Sequence, residues 1–284
     1  MLDRDEYVEQ AYFFRALAER MQRNMATQDL ISGLRDEILA TTKLPMALDF
    51  LSAELRHSGT LAPAMASLGH YFTPFQTFVI SEAEKDRGRF DFLIALEILE
   101  RQAKYLSEGA TTQGMFIFEF ECLCRNRLGY DRGLEAMSRD PIFDENWRDW
   151  MLMVRHQIGL VDFADLIYVR SAHFMRERAR RGMSTAEPDK PVLFGEKEGM
   201  IALAHRQKDP LWLFAALERH LNYPTVPRPK RADENKQIVP LLLRRVERLE
   251  SRLKLLEEEG RGGIDLSRFM GPNAQSIDDA EEST

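Results

Sequence analysis

Apolar residues recur at helical spacing through the first hundred residues, and prolines and glycines cut that pattern into pieces suited to a packed set of small helices. Tyr7, Ala11, Phe14, Leu17, Ala18, Met21 and Met25 mark one face of a helix over residues 3–25. Further helices are expected over 28–40 and 45–57, the second opened by Pro45, whose missing N–H would be unpaired in a first turn anyway. From Ser58 to Ser81 the chain has no Asp, Glu, Lys or Arg. Pro63, Gly69, His70 and Pro74 interrupt that stretch, so it reads as short helices and not as a membrane span. Ser58 and Gly59 give a stop, and Thr60 is expected to cap a short helix with Leu61, Met65 and Leu68 on its face. Pro74 opens a helix through Phe75, Phe78, Val79 and Ala83. A helix over 91–106 completes an all-α, six-helix bundle assigned to residues 1–108.

Residues 109–222 read as a second helical unit. Residues 115–124 (MFIFEFECLC) fit a strand by their phenylalanines or a helix packed on the bundle, and the helical surroundings favour helix. Ile142, Phe143, Trp147, Trp150, Met151, Val154 and Ile158 form a broad aromatic helix face, with Asp144 as its cap. A single longer helix is expected over 160–180, apolar nearly all round at Leu166 to Val169 and therefore central. Ser184 to Lys190 is a turn-rich break. The last helix of the unit, 210–221, is expected to bury Leu211, Phe214, Ala215 and Leu221.

Residues 223–239 read as an extended, proline-stiffened linker. After Pro240, a heptad seam of Leu242, Val246, Leu249, Leu253 and Leu256 marks a short coiled-coil helix over 240–259. With Val246 and Leu253 at a positions, Arg245 and Arg252 fall at g, and Glu250 and Glu257 at e. Both g to e′ pairs of a parallel homodimer are then opposite in sign. The same helix could equally fold back or bind another chain's helix. Residues 260–284 have the glycine, polar and acidic composition of a disordered tail. Within it Ile264, Leu266, Phe269 and Met270 form an apolar island suited to docking in a partner's groove.

The order of pieces in residues 12–106 carries a resemblance. Gly59-Thr60-Leu61 with Ala64-Met65 is followed by Tyr71-Phe72-Thr73-Pro74, by Ala83-Glu84 with Gly88-Arg89-Phe90, and by a final helix from Leu99 to Leu106. This resembles the cytoplasmic domain of the F protein of type II secretion systems and its type IV pilus counterpart. The chain departs from the family pattern at Asn24 and Ala83, where glycine is usual, by one extra residue between Glu84 and Gly88, and by about one helical turn before Leu99. The resemblance implies a protein-binding role in a secretion or pilus machine, with an assembly ATPase or another cytoplasmic component as partner. The family member is a membrane protein, whereas the longest charge-free stretch after this domain, Gly109 to Phe118, is far shorter than the roughly 20 apolar residues a span needs.

Charge and motifs narrow the function classes. The chain has 39 basic and 46 acidic residues, a net −7. From Leu255 onward, eight acids and two bases account for −6 of that, so the remainder is near neutral and lacks the broad basic surface of a nucleic-acid binder. Two arginine-rich clusters, Arg176, Arg178, Arg180 and Arg181, and Arg228, Lys230 and Arg231, keep a nucleic-acid-associated regulator as the alternative reading. The opening MLDRDEYVEQ has acids where a signal peptide needs a basic and then an apolar segment, so a cytoplasmic protein is expected. Cys122 and Cys124 are read as thiols in a reducing compartment.

No phosphate loop, nucleophile elbow, zincin motif or dinucleotide fingerprint occurs. One E-x-x-H pair, Glu54 and His57, lacks the second copy and extra glutamates of a di-iron bundle. His57, His70, His156, His173, His205 and His220 are scattered without ligand spacing. Glu82, Glu84, Asp86 and Asp91 read as a solvated acidic face. The expectation is a non-enzymatic adaptor or scaffold with no cofactor and no metal.

Overall fold

The computed structural model describes residues 1–21, 27–85, 90–182 and 190–228. These belong to one compact unit, Met1–Pro229. Among the described residues there are thirteen helices and no strand. They are α1 Arg4–Met21, α2 Thr27–Arg35, α3 Leu44–Ser58, α4 Ala62–Ser67, α5 Pro74–Ala83, α6 Phe92–Ser107, α7 Thr112–Asn126, α8 Tyr130–Ser138, α9 Glu145–Gln157, α10 Phe163–Tyr168, α11 Ala172–Arg180, α12 Glu196–Ala204 and α13 Pro210–Leu221.

The first six helices follow the expected order, with the starts and stops that their end residues dictate. Gly59 takes the left-handed conformation (φ 74°) and donates its N–H to Leu55 O, ending α3. Thr73 and Gln76 close a reciprocal capping box ahead of α5. Asp91 accepts the N–H of Leu93 and opens α6. Helix α2 is shorter than expected, because the chain turns after Arg35 and the Leu39 N–H is taken by Glu9 of α1. Thr60 does not cap α4: Leu61 holds the cap position without a side-chain bond of its own, and a carboxylate from elsewhere supplies the acceptor.

Beyond residue 108 the ambiguous phenylalanine run is helical. It forms most of α7, in which every residue from Gly114 to Leu123 is buried. That burial on all sides explains why no amphipathic period marks it. Asp144 caps α9 through the Trp147 N–H, as expected. The single helix expected over 160–180 is instead two, α10 and α11. Ser171 accepts the Phe174 N–H, and the Ala172 N–H goes to Phe194 O, so side-chain capping and a backbone crossing break the helix where apolar pattern alone would carry it through. Helix α13 has the expected bounds but a rotated face. Leu213, Phe214 and Leu217 are buried, while Leu211 is 45% exposed and Trp212 61%.

One apolar core runs from Phe13 in α1 to Val226 beyond α13, so the boundary expected near residue 108 falls inside a continuous interior. Its aromatic centre stacks Phe120 on Phe163 at 4.2 Å and sets Trp150 against Phe116 at 4.8 Å. Residues 223–228 form no helix, and Tyr223 and Val226 are buried against the body. The Tyr223 hydroxyl donates to Glu121 at 2.7 Å, and Asn126 donates to Pro227 O at 3.2 Å. No helix among the described residues is long and apolar enough to cross a membrane.

A candidate binding groove and the polar interior behind it

Helices α5 and α8 each present a face at i, i+3, i+4 and i+7 to one open groove. Pro74, Thr77, Phe78 and Ser81 come from α5; Arg132, Glu135 and Ala136, with Arg139 just after it, come from α8. Ala66, Gly69 and Phe72 complete the lining of a groove of about 470 Å³. Two of the lining residues, Ala136 and Ser81, are small. The space is within the range that takes a cluster of apolar atoms from a ligand or a partner's side chains.

Charge is confined to one wall. Arg132 and Arg139 are exposed on α8, a turn or more apart, with Glu135 between them. Glu135 pairs with Arg139 and lies 3.6 Å from Arg155, while Arg132 reaches Glu82 at 3.5 Å. These are solvent-screened pairs of small individual worth. Their guanidiniums can therefore turn to an incoming carboxylate at little cost.

Behind α5 runs a line of buried hydrogen bonds, almost none of which a sequence pattern marks. Gln76 donates to Gln10 of α1 at 3.2 Å, and the Tyr71 hydroxyl donates to Glu6 at 2.9 Å. Glu6 and Glu9 also accept the backbone N–H groups of Lys43 and Leu39, so backbone donors balance two buried carboxylates. Asp140 accepts the Phe75 N–H at 3.0 Å, fixing the first turn of α5 to the segment after α8. Gln102 of α6 donates to Glu119 of α7 at 2.6 Å. A capping-box spacing, T-x-x-Q at Thr73 and Gln76, is the one part of this line that the sequence signalled.

The residues singled out from sequence fall out as follows. Leu242, Arg245, Val246, Leu249, Glu250, Arg252, Leu253, Leu256 and Glu257 of the heptad helix lie outside the described residues. So do Ile264, Leu266, Phe269 and Met270 of the tail, together with Lys230 and Arg231. Glu54 and His57 sit on α3, and among the described residues no group of three or more His, Cys, Asp and Glu side chains is placed to hold a metal ion. Arg176 pairs with Glu196, Arg180 and Arg181 pair with Glu177, and Arg178 lies over the Phe174 ring. Within the acidic group Glu82 pairs with Lys85, Glu84 caps α4 and Asp91 caps α6, while Asp86 lies outside the described residues. His173 and His220 face Glu196 and Glu198.

Cys122 and Cys124 are free thiols. Burial pushes both up, Cys124 to about 11 and Cys122 well above the ordinary thiol range, so neither is a thiolate at neutral pH.

No protein-family model, curated protein or solved structure matches this chain.

Proposed function

We propose that this chain is a non-enzymatic protein-binding adaptor, and that the groove between α5 and α8 receives an apolar segment of another protein flanked by acidic residues. The observation that carries this reading is the groove itself. Two helical faces with matched spacing leave about 470 Å³ that no described side chain fills, with a mainly apolar lining and exposed arginines along one wall. The hydrogen bonds behind α5 hold that wall in place before a partner arrives, which reduces the ordering cost of binding. The resemblance of residues 12–106 to the secretion and pilus platform domain supports a cytoplasmic assembly component, such as an assembly ATPase, as the partner to try first. The heptad helix over 240–259 supports a parallel homodimer, which would present two grooves.

A displayed peptide library selected on the full chain tests the groove. Enriched ligands should share an apolar anchor next to Asp or Glu, lose binding on Ala66→Arg, weaken on Arg139→Glu, and weaken further with added salt. Selection of ligands indifferent to both substitutions would place the binding surface elsewhere. Co-purification with an assembly ATPase tests the partner class separately.

A further inference from the structure

Glu119 and Asp140 lie behind the groove wall, one on α7 and the other just after α8, and both are almost wholly inaccessible to solvent. They line a common small pocket of about 10 Å³, room for roughly one water molecule. Gln102 of α6, Thr73 ahead of α5 and Tyr7 of α1 complete its polar side-chain lining; no lysine, arginine or histidine is among the lining residues, and Met1, which carries the α-amino group, borders it. Two acceptors there have no hydrogen-bond partner, Glu119 Oε2 and Gln102 Oε1. The interior thus holds two carboxyls, an unpaired carboxyl oxygen and an unpaired amide oxygen, with the Phe75 N–H and the Thr73 side chain serving Asp140 and the Gln102 amide serving Glu119.

Such a lining is short of hydrogens. Two buried carboxylates without a cationic side chain beside them would each bear a large desolvation cost and would repel one another. Oxygen ligands could in principle take a hard cation, but such ions need six or more oxygens or near-ideal octahedral geometry, and among the described residues no set of three acidic or histidine ligands converges here. A proton supplies what is missing. It removes one charge and turns one carboxyl oxygen from acceptor to donor.

We propose that Glu119 and Asp140 form a buried proton-binding site that keeps a single negative charge between the two carboxyls at neutral pH. Asp140 is the member suited to carry the charge, because it accepts the Phe75 N–H at the start of α5, where a helix favours an anion. Glu119 is suited to hold the proton, since Gln102 already donates to its Oε1 and Oε2 is left free. Burial raises both carboxyls above the ordinary range, and the charge of Asp140 raises Glu119 further. The proton comes from solvent during folding and returns to solvent on unfolding or at high pH, with no other reactant. Tyr7, the other titratable side chain of the lining, stays a neutral phenol because burial opposes its ionisation.

The test is a carboxyl-carbon NMR titration of the full chain from pH 3 to pH 10, with Glu119→Gln and Asp140→Asn used for assignment. The expected result is two linked transitions, the upper one above neutrality, and its loss in either variant. Removing one carboxyl should move the other's midpoint by at least one pH unit, a tenfold change in proton affinity. Two independent transitions below about pH 5 in the wild-type chain would overturn the proposal without recourse to either variant. So would carboxyl signals shifted by millimolar sodium, magnesium or calcium chloride, with melting raised in the wild type alone, because a cation would then be the occupant.

Discussion

The carboxylate of Glu84, at the end of α5, accepts the backbone N–H of Ala62 at 2.9 Å, and with it that of Leu61, at the start of α4. A side chain 22 residues downstream thus closes a helix terminus that its own neighbour, Thr60, leaves open. The negative charge also sits where the α4 dipole favours it.

Glu84→Ala should therefore destabilise the fold by about 1 kcal/mol, the usual worth of an N-terminal cap, whereas Thr60→Ala should change stability by only a few tenths of a kcal/mol. Chemical denaturation of the two variants checks this, and equal losses would return the capping role to Thr60.

Two glycines should respond to alanine with opposite signs. A Cβ on Gly133 of α8 would meet the Leu123 side chain of α7 at 2.6 Å, and Leu123 is fully buried. Gly133→Ala should cost about 1–3 kcal/mol through overpacking. A Cβ on Gly33 in α2 meets nothing within 4 Å, so Gly33→Ala should stabilise by about 0.5–1 kcal/mol. Denaturant midpoints at constant slope read both effects.

The buried carboxyl pair gives stability a definite slope. Asp140 is raised to about 7 and Glu119 well above its ordinary range, so the folded chain holds protons that the unfolded chain releases above about pH 4. Their contribution is fully present below that pH and declines as pH rises, with Asp140 losing its part by about pH 7 and Glu119 continuing beyond. One such proton gives a slope of up to about 1.4 kcal/mol per pH unit. The double variant Glu119→Gln, Asp140→Asn should show a flatter profile between pH 5 and 8 than the wild type, measured as the difference between their denaturation curves.

Cys122 and Cys124 should resist alkylation in the native chain. N-ethylmaleimide at pH 7.5 should add no mass within minutes, and two adducts should appear once denaturant is present. Rapid native labelling of either would mean that α7 opens readily.

The proposed coiled coil over 240–259 makes a prediction of its own. Leu249→Asp should reduce the mass measured by light scattering to that of one chain while leaving helical circular dichroism nearly unchanged. An unaltered mass would show that the seam serves another contact.

What the sequence determined by itself is what local chemistry dictates. Helix starts at Pro45, Pro74, Asp91 and Asp144, and the stop at Gly59, follow from the preferences of a few residues for particular backbone conformations and end groups, and they appear where expected. The α2 end, the break at Ser171 and the face of α13 were set from outside their own segments. Glu9, the Phe194 carbonyl and the neighbouring helices compete for those groups, and such competition has no period along the chain. The groove was illegible for the same reason: its two walls are ordinary amphipathic faces until α5 and α8 are set side by side. Nothing in the sequence marks Glu6, Glu9, Glu119 and Asp140 for the interior, since a carboxylate's default is solvent. Only the tertiary structure could bury them, by bringing backbone donors, glutamines and each other close enough to satisfy oxygens that water would otherwise have held.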